Sequence, residues 1–310
     1  MSSSVATRLA FALALLLDPR FEARPAAADE LEGDAVYIPM PAGESLSVRN
    51  PMGSVRVRGW DQAEVRVIVQ KRAQKTALLD RLRVRVHLDG GRLEVATGVY
   101  LQDGGWMPLP LSGTAIDLTI DAPRAMALRA ATFAGGIDAA GLRAGARLNS
   151  QGGPIHVADV QGAVESRALD GRQSFQQIRG RLAASGITGD VDLEAIDGET
   201  VDAKVYKGTI TARAVRSPVV RLRTTVGTIV FIGGLQPGGR YELSTHDGDL
   251  RLTLPATPFR LAVRSASFRS ALPIEVAERG ESTLRGQHRG GGPSLDLVSQ
   301  SGAVLIDALR

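Results

Sequence analysis

The chain has 310 residues, 44% of them hydrophobic but only 4% aromatic, so Val, Leu, Ile and Ala must fill the core. It contains no cysteine, which excludes disulfide frameworks, thiolate metal sites, cysteine nucleophiles and a lipid-modified cysteine. The formal net charge is only +4, and four of the 37 basic residues are lysine (Lys71, Lys75, Lys204 and Lys207), so neither excess points to nucleic acid as a partner.

In chain order, residues 1–28 read as a secretion signal. Arg8 supplies a positive n-region, Leu9 to Leu17 is an unbroken apolar run, and Ala26-Ala27-Ala28 offers small residues for cleavage. At ~1.5 Å per residue that run is too short to cross a ~30 Å hydrocarbon layer as a helix. No later segment is long and apolar enough to span either, so no transmembrane segment is expected after cleavage.

Residues 29–124 read as an N-terminal β segment with one short helix. Ser45-Leu46-Ser47-Val48-Arg49 alternates as a strand, Asn50-Pro51-Met52-Gly53 is a turn, and Ser54 to Trp60 and Glu64 to Val69 alternate again. Lys71 to Leu82 suits a short amphipathic helix. Arg83 to Leu88 and Arg92 to Val95 flank Asp89-Gly90-Gly91 as a hairpin. Residues 98–113 form a loop with Tyr100 and Trp106, whose rings suit either a partner or a cap over an open sheet end. Ala115 to Ile120 is a further strand, leading through Pro123.

From residue 125 the chain repeats itself. Each unit sets a glycine in a small or polar turn and follows it with alternating apolar residues, as in Thr188-Gly189-Asp190-Val191-Asp192-Leu193. The turn glycines are Gly136, Gly153, Gly171, Gly189, Gly208, Gly227 and Gly248, spaced 17, 18, 18, 19, 19 and 21 residues apart. That period predicts an all-β, single-stranded β-solenoid, like a right-handed β-helix or β-roll, over 125–310. The glycines stack in a column, and Val191 and Leu193 point inward. The alternative is an antiparallel meander or sandwich, because glycine turns between alternating strands also read as hairpins. Residues 255–295, with Pro255, Pro258, Pro273 and Arg289-Gly290-Gly291-Gly292-Pro293, blur the repeat and are expected to be irregular or capping.

Leu46 to Asp61, the Val-Arg-Val strand after it, the glycine repeats and the closing Ser301-Gly302-Ala303-Val304-Leu305-Ile306 resemble the DUF4097 family of candidate adhesins, over about residues 35–310. The resemblance implies an exported, β-helix-like bacterial envelope protein, in the periplasm, on the surface or secreted.

Catalytic constellations do not emerge. His87, His156, His246 and His288 lack metal-ligand spacing and read as surface residues. Asp138, Asp170, Asp190, Asp192, Asp197, Asp247 and Asp249 recur near turns, where Asp beside Gly favours tight bends. Such acids could also cluster as in polysaccharide lyases and hydrolases. The reading is a non-enzymatic, adhesin-like or structural envelope protein without cofactor, whose partner is an unknown envelope or surface protein or polysaccharide. A carbohydrate-active β-helix enzyme and an envelope-stress accessory without its own ligand are the alternatives.

Overall fold

A computed structural model describes residues 29–30, 35–40, 44–100, 105–108 and 112–309. The expected signal peptide, residues 1–28, lies outside them.

Almost every described element is a strand, and the strands form two long, open, mostly parallel sheets. Sheet A holds 16 strands and sheet B 13. One unit shows the logic. Leu182–Thr188 runs in sheet A, the chain bends at Gly189, and Val191–Glu194 runs in sheet B. It then bends back into Thr200–Lys207 of sheet A, directly beside its own start. Leu182 pairs in parallel with Val201, and Val191 pairs in parallel with Ile210. The fold is therefore β-helix-like, and the body of the molecule is not an antiparallel meander. Eleven such strand pairs stack. At ~4.8 Å per step the stack is roughly 50 Å long.

Alternation decides which side chains go in. Val164, Leu182, Val201, Val220, Tyr241 and Leu295 form one inner ladder from sheet A. Val191, Ile210, Ile229, Leu250 and Val304 form the facing ladder from sheet B. All of these are buried, and each large aliphatic removed from water contributes ~1.5–3 kcal/mol. Phe175, Phe231, Tyr241 and Phe259 are the large aromatics in this core, and Phe231 meets Tyr241 edge to face at 5.7 Å.

The bend between the sheets cannot take a side chain. At Gly189 φ is +126°, and a Cβ would fall 2.3 Å from the Gly171 carbonyl oxygen; at Gly208 it would fall 2.2 Å from that of Gly189. The column continues through Gly53, Gly135, Gly153, Gly171, Gly227, Gly248 and Gly302. Six of the seven expected turn glycines lie in it. The exception is Gly136: Gly135 occupies the column with φ +150°, and Gly136 sits one residue later without a positive φ. The Gly135-Gly136 pair made the two indistinguishable in sequence.

A hydroxyl often stands three residues before the bend. Thr224 donates to the Gly208 carbonyl at 3.1 Å, Thr245 to Gly227 at 3.0 Å and Ser299 to Gly248 at 2.8 Å. In these three units the buried hydroxyl finds its acceptor in the turn of a neighbouring unit, whereas Ser150 donates to Gly153 of its own turn at 3.1 Å. At the second bend, after sheet B, Gly162, Gly180 and Gly198 form another column. Just before it Asp159, Gln177, Ala195 and Ala214 adopt left-handed φ of 49° to 54°, a bulge that turns Val160, Ile178, Ile196 and Val215 into the core.

Both ends break the simple order. At one end Arg92–Tyr100 and Thr114–Pro123 stack outside Ser45–Met52 and Val55–Trp60, although they follow them in sequence. Antiparallel strands Ala35–Pro39, Glu64–Ala73 and Leu82–Asp89 close that end. The expected helix at 71–82 is corrected: the strand runs to Ala73, and only Thr76–Arg81 is helical, as a 3-10 turn. At the other end, 255–295, expected to be irregular or capping, is regular strand and forms the end of both sheets. Phe259–Arg264 and Ser267–Ser270 form a strand pair, and Glu275–Arg279 with Thr283–His288 forms an antiparallel hairpin beyond it. The last pair in sequence, Ser294–Ser299 and Ala303–Ala308, is inserted before it, between Arg240–Leu254 and Phe259–Ser270.

Candidate binding surface

The described residues of the expected aromatic loop rest on the outer face of sheet A. Val99 and Tyr100 pair antiparallel with Met107 and Trp106. Gly98 makes room, since a Cβ there would lie 2.3 Å from the Met107 carbonyl oxygen. The alternation of Leu82–Asp89 sends Leu82, Val84 and Val86 inward and Arg83 and Arg85 outward. The Arg85 guanidinium lies 4.5 Å from the Trp106 ring centre and 5.9 Å from that of Tyr100, and Arg83 lies 5.1 Å from Tyr100. These cation–π contacts hold the described part of the loop on the chain's own arginines. Antiparallel strands, rather than these rings, close the neighbouring end. Residues 101–104 and 109–111 of the loop lie outside the described residues.

A second surface lies on the outer face of sheet A near the strand ends, two residues before each bend. There Phe133, Leu169, Ile187 and Tyr206 point outward, with Gln151 between the first two. Ile187 is 51% exposed and Tyr206 58%. Gly186 pairs with Val205 and Thr188 with Lys207, which sets Ile187 beside Tyr206. Lys204 shares the outward face of Tyr206, and Lys207 follows it, so two of the chain's four lysines flank this spot. The other large exposed apolar side chains, such as Tyr37, Leu88 and Val276, are scattered over the described surface. Sequence reading passed over Ile187 and Tyr206, yet their fixed place before Gly189 and Gly208 was available as a signal.

The turn carboxylates mostly tie units together. Asp190 accepts the Thr209 backbone N–H at 2.8 Å, and Asp249 accepts that of Ala303 at 3.1 Å. The Ala303 N–H and the Arg251 guanidinium hold the Asp249 carboxyl below the ordinary carboxylate range. Asp117 does the same work for Ser54: burial pushes its carboxyl up, but the bonds from Arg72 and from the Ser54 N–H and hydroxyl outweigh that and lower it. Asp138 faces Arg56 and Arg58, and Asp192 receives Arg172 at 2.6 Å, a contact that raises the Arg172 pKa. Asp170, Asp197 and Asp247 sit near bends, and Asp197 bridges Arg179 and Arg216 through its backbone. No group of three or more His, Asp or Glu suited to a metal ion occurs among the described residues.

His87 and His156 are half-buried and His246 is exposed. His288 is a correction. It is 1% exposed, stacks 5.3 Å from Phe259, and its Nδ1 lies 2.7 Å from the Pro273 carbonyl oxygen. Inward alternation on Thr283–His288, not the glycine loop that follows, decides its place.

Two shallow grooves also mark sheet A. One of about 300 Å³ runs past Ser45, Ala127, Gly145 and Ala163 under Arg92 and Arg129. One of about 730 Å³ lies among Arg240, Arg260, Arg285, Glu275 and Asp296.

No family model and no curated protein matches the chain. Among solved structures it is similar to a candidate adhesin from Parabacteroides merdae, at TM-score 0.48 and 11% identity over 89% of this chain and 95% of that one. It is also similar to a candidate adhesin from Bacteroides fragilis, at TM-score 0.39 and 9% identity over 89% and 96%. A candidate cell adhesion protein from Clostridium sporogenes matches at TM-score 0.23 and 9% identity over 91% and 100%.

Proposed function

We propose that this chain is an exported, non-enzymatic envelope protein of the DUF4097 kind, a two-sheet solenoid that binds a surface protein or polysaccharide. The observation that carries the reading is the outward ladder of Leu169, Ile187 and Tyr206 with Lys204 and Lys207 beside it. Apolar and aromatic side chains held in register on a rigid sheet, rimmed by cations, suit an extended partner lying along the stack. The turn carboxylates support a scaffold over an acid/base site, because Asp117, Asp190 and Asp249 are engaged in joining units. Tyr100 and Trp106 are a second candidate contact at one end of the same sheet.

The test is capture of envelope proteins and glycans on immobilised residues 29–310, compared with an Ile187→Ser/Tyr206→Ser variant. The reading expects a ligand whose capture falls in the variant while the melting temperature holds. Turnover of acidic polysaccharide by the same protein would replace this reading with a carbohydrate-active enzyme.

A further inference from the structure

We infer that the last strand pair, residues 294–308, is an exchangeable element, and that the slot it fills takes the same segment from a second copy of this chain. The inference concerns assembly and stands apart from the proposed binding role.

The slot has two complete walls. One is Arg240–Asp247 with Leu250–Leu254; the other is Phe259–Arg264 with Ser267–Ser270. Residues 294–308 pair in parallel with both walls in both sheets. They satisfy backbone groups on each side: Ser294 N–H donates to Gly239, and Arg260 N–H donates to Pro293. Leu295, Leu297, Val304 and Ile306 fill the core between the walls. Every one of these contacts depends on the segment and the slot, and none on the two belonging to one molecule. Exchange between copies therefore conserves them all.

The connection decides the balance. Residues 289–293 must reverse the chain from Thr283–His288 into the slot. They do so with three successive residues in the left-handed region: Arg289 at φ 48°, Gly290 at 77° and Gly291 at 84°. Arg289 is not glycine, and a left-handed conformation is unfavourable for it. A short, strained hinge that straightens on exchange is the arrangement that favours swapping. Against it stands the entropy of association, so the dimer forms with rising concentration.

The experiment uses the full chain with Ser244→Cys and Val298→Cys, register partners where the wall strand meets the inserted strand, in a protein with no other cysteine. Oxidation links the two positions within one chain in the closed monomer and between chains in the exchanged dimer. Concentrated protein is passed through mild denaturant, returned to buffer, oxidised and run without reductant. A covalent dimer is expected, together with a dimer peak in size exclusion. Deleting Gly290 and Gly291 leaves the hinge too short to reverse. The dimer then appears at about tenfold lower concentration or below, the shift that ~1.4 kcal/mol produces. Inserting Gly-Ser-Gly-Ser after Gly291 relaxes the hinge and lowers the dimer fraction. A folded deletion variant that stays monomeric overturns the inference, as does a dimer whose 244–298 link closes only within chains. If the deletion variant fails to fold, the insertion variant decides: an unchanged covalent-dimer fraction overturns the inference.

Discussion

The middle of the molecule and its two ends solve opposite problems. From Ala146 to Leu254 each unit is covered on both sides by a near copy, spatial order follows sequence order, and every strand pairing is parallel. A period of 18 to 21 residues is enough to specify that arrangement, because each position needs only a like residue above and below it. At the ends there is no next copy. The chain inserts a later pair inside an earlier one, adds antiparallel strands, and places its less repetitive residues there: His288, the Arg83/Arg85–Tyr100–Trp106 stack and the 3-10 turn at Thr76–Arg81. Repetition supports the middle; individual contacts terminate the ends.

That contrast is sharpest at the glycines. Gly208→Val drives a β-branched side chain into the Gly189 carbonyl of the preceding unit at a left-handed φ, and should cost about 4 kcal/mol or more, read as a loss of melting temperature or of soluble protein. Gly90, in the end hairpin, has nothing within 4 Å of its Cβ direction, so Gly90→Asn should be nearly neutral. Equal losses at both positions would erase the distinction between middle and end.

Next in size is the inner ladder. Val191→Asp buries an unpaired charge and should cost about 3–5 kcal/mol, while Glu194→Ala on the outer face should stay within ~0.5 kcal/mol. Equal denaturation midpoints would contradict the inward assignment.

A smaller effect belongs to the junction of middle and end. Asp249 ties Ala303 of the inserted pair to the body, and its loss in Asp249→Ala should cost about 1 kcal/mol. Its carboxyl is lowered in the folded protein, so this contribution is complete above the unfolded carboxylate pKa of ~3.9 and fades as pH falls through the depressed folded value. An acid titration of stability should therefore separate wild type from variant at neutral pH and bring them together in strong acid. A gap that widened on acidification would refute the role given to Asp249.

The smallest effect has the opposite sign. Ala195 sits at φ 53° in the bulge column, where glycine carries no strain. Ala195→Gly should gain up to ~1 kcal/mol, the relieved strain less the added freedom of the unfolded chain. A clear loss would mean that the bulge is not strained at that position.

The same division explains what was legible in the sequence. Alternation around Val191 and Leu193 and the glycine spacing gave the strands, the inward faces and six positions of the first column, because these are local patterns repeated many times. The hydroxyl before the bend recurs at Thr224, Thr245 and Ser299 but gives way to Ala168, Gly186 and Val205 in the middle units, and the outward apolar residue recurs only in some units, as at Ile187 and Tyr206, so both patterns were fainter than the glycines. The order of the end pairs was not legible. Nothing local to Leu295 or Leu297 distinguishes a pair that stacks last from one inserted a step earlier, since both bury the same ladder. His288 was misplaced for a related reason: the Gly-rich hinge beside it is local, whereas the Phe259 ring and the Pro273 carbonyl that enclose it are distant in sequence.

The central claim is that successive units lie in parallel register, and paired cysteines test it directly. Asp192 and Thr211 are outward neighbours in adjacent units, 19 residues apart, in a chain without cysteine. Strands one spacing apart bring their Cα atoms within the range a disulfide can bridge. Oxidised Asp192→Cys/Thr211→Cys protein should close a 192–211 disulfide within the folded monomer, while Asp192→Cys/Ala212→Cys, whose second residue faces the core, should stay reduced. A 192–211 pair that remains reduced in folded protein, or a 192–212 pair that closes in its place, would contradict the stacked arrangement.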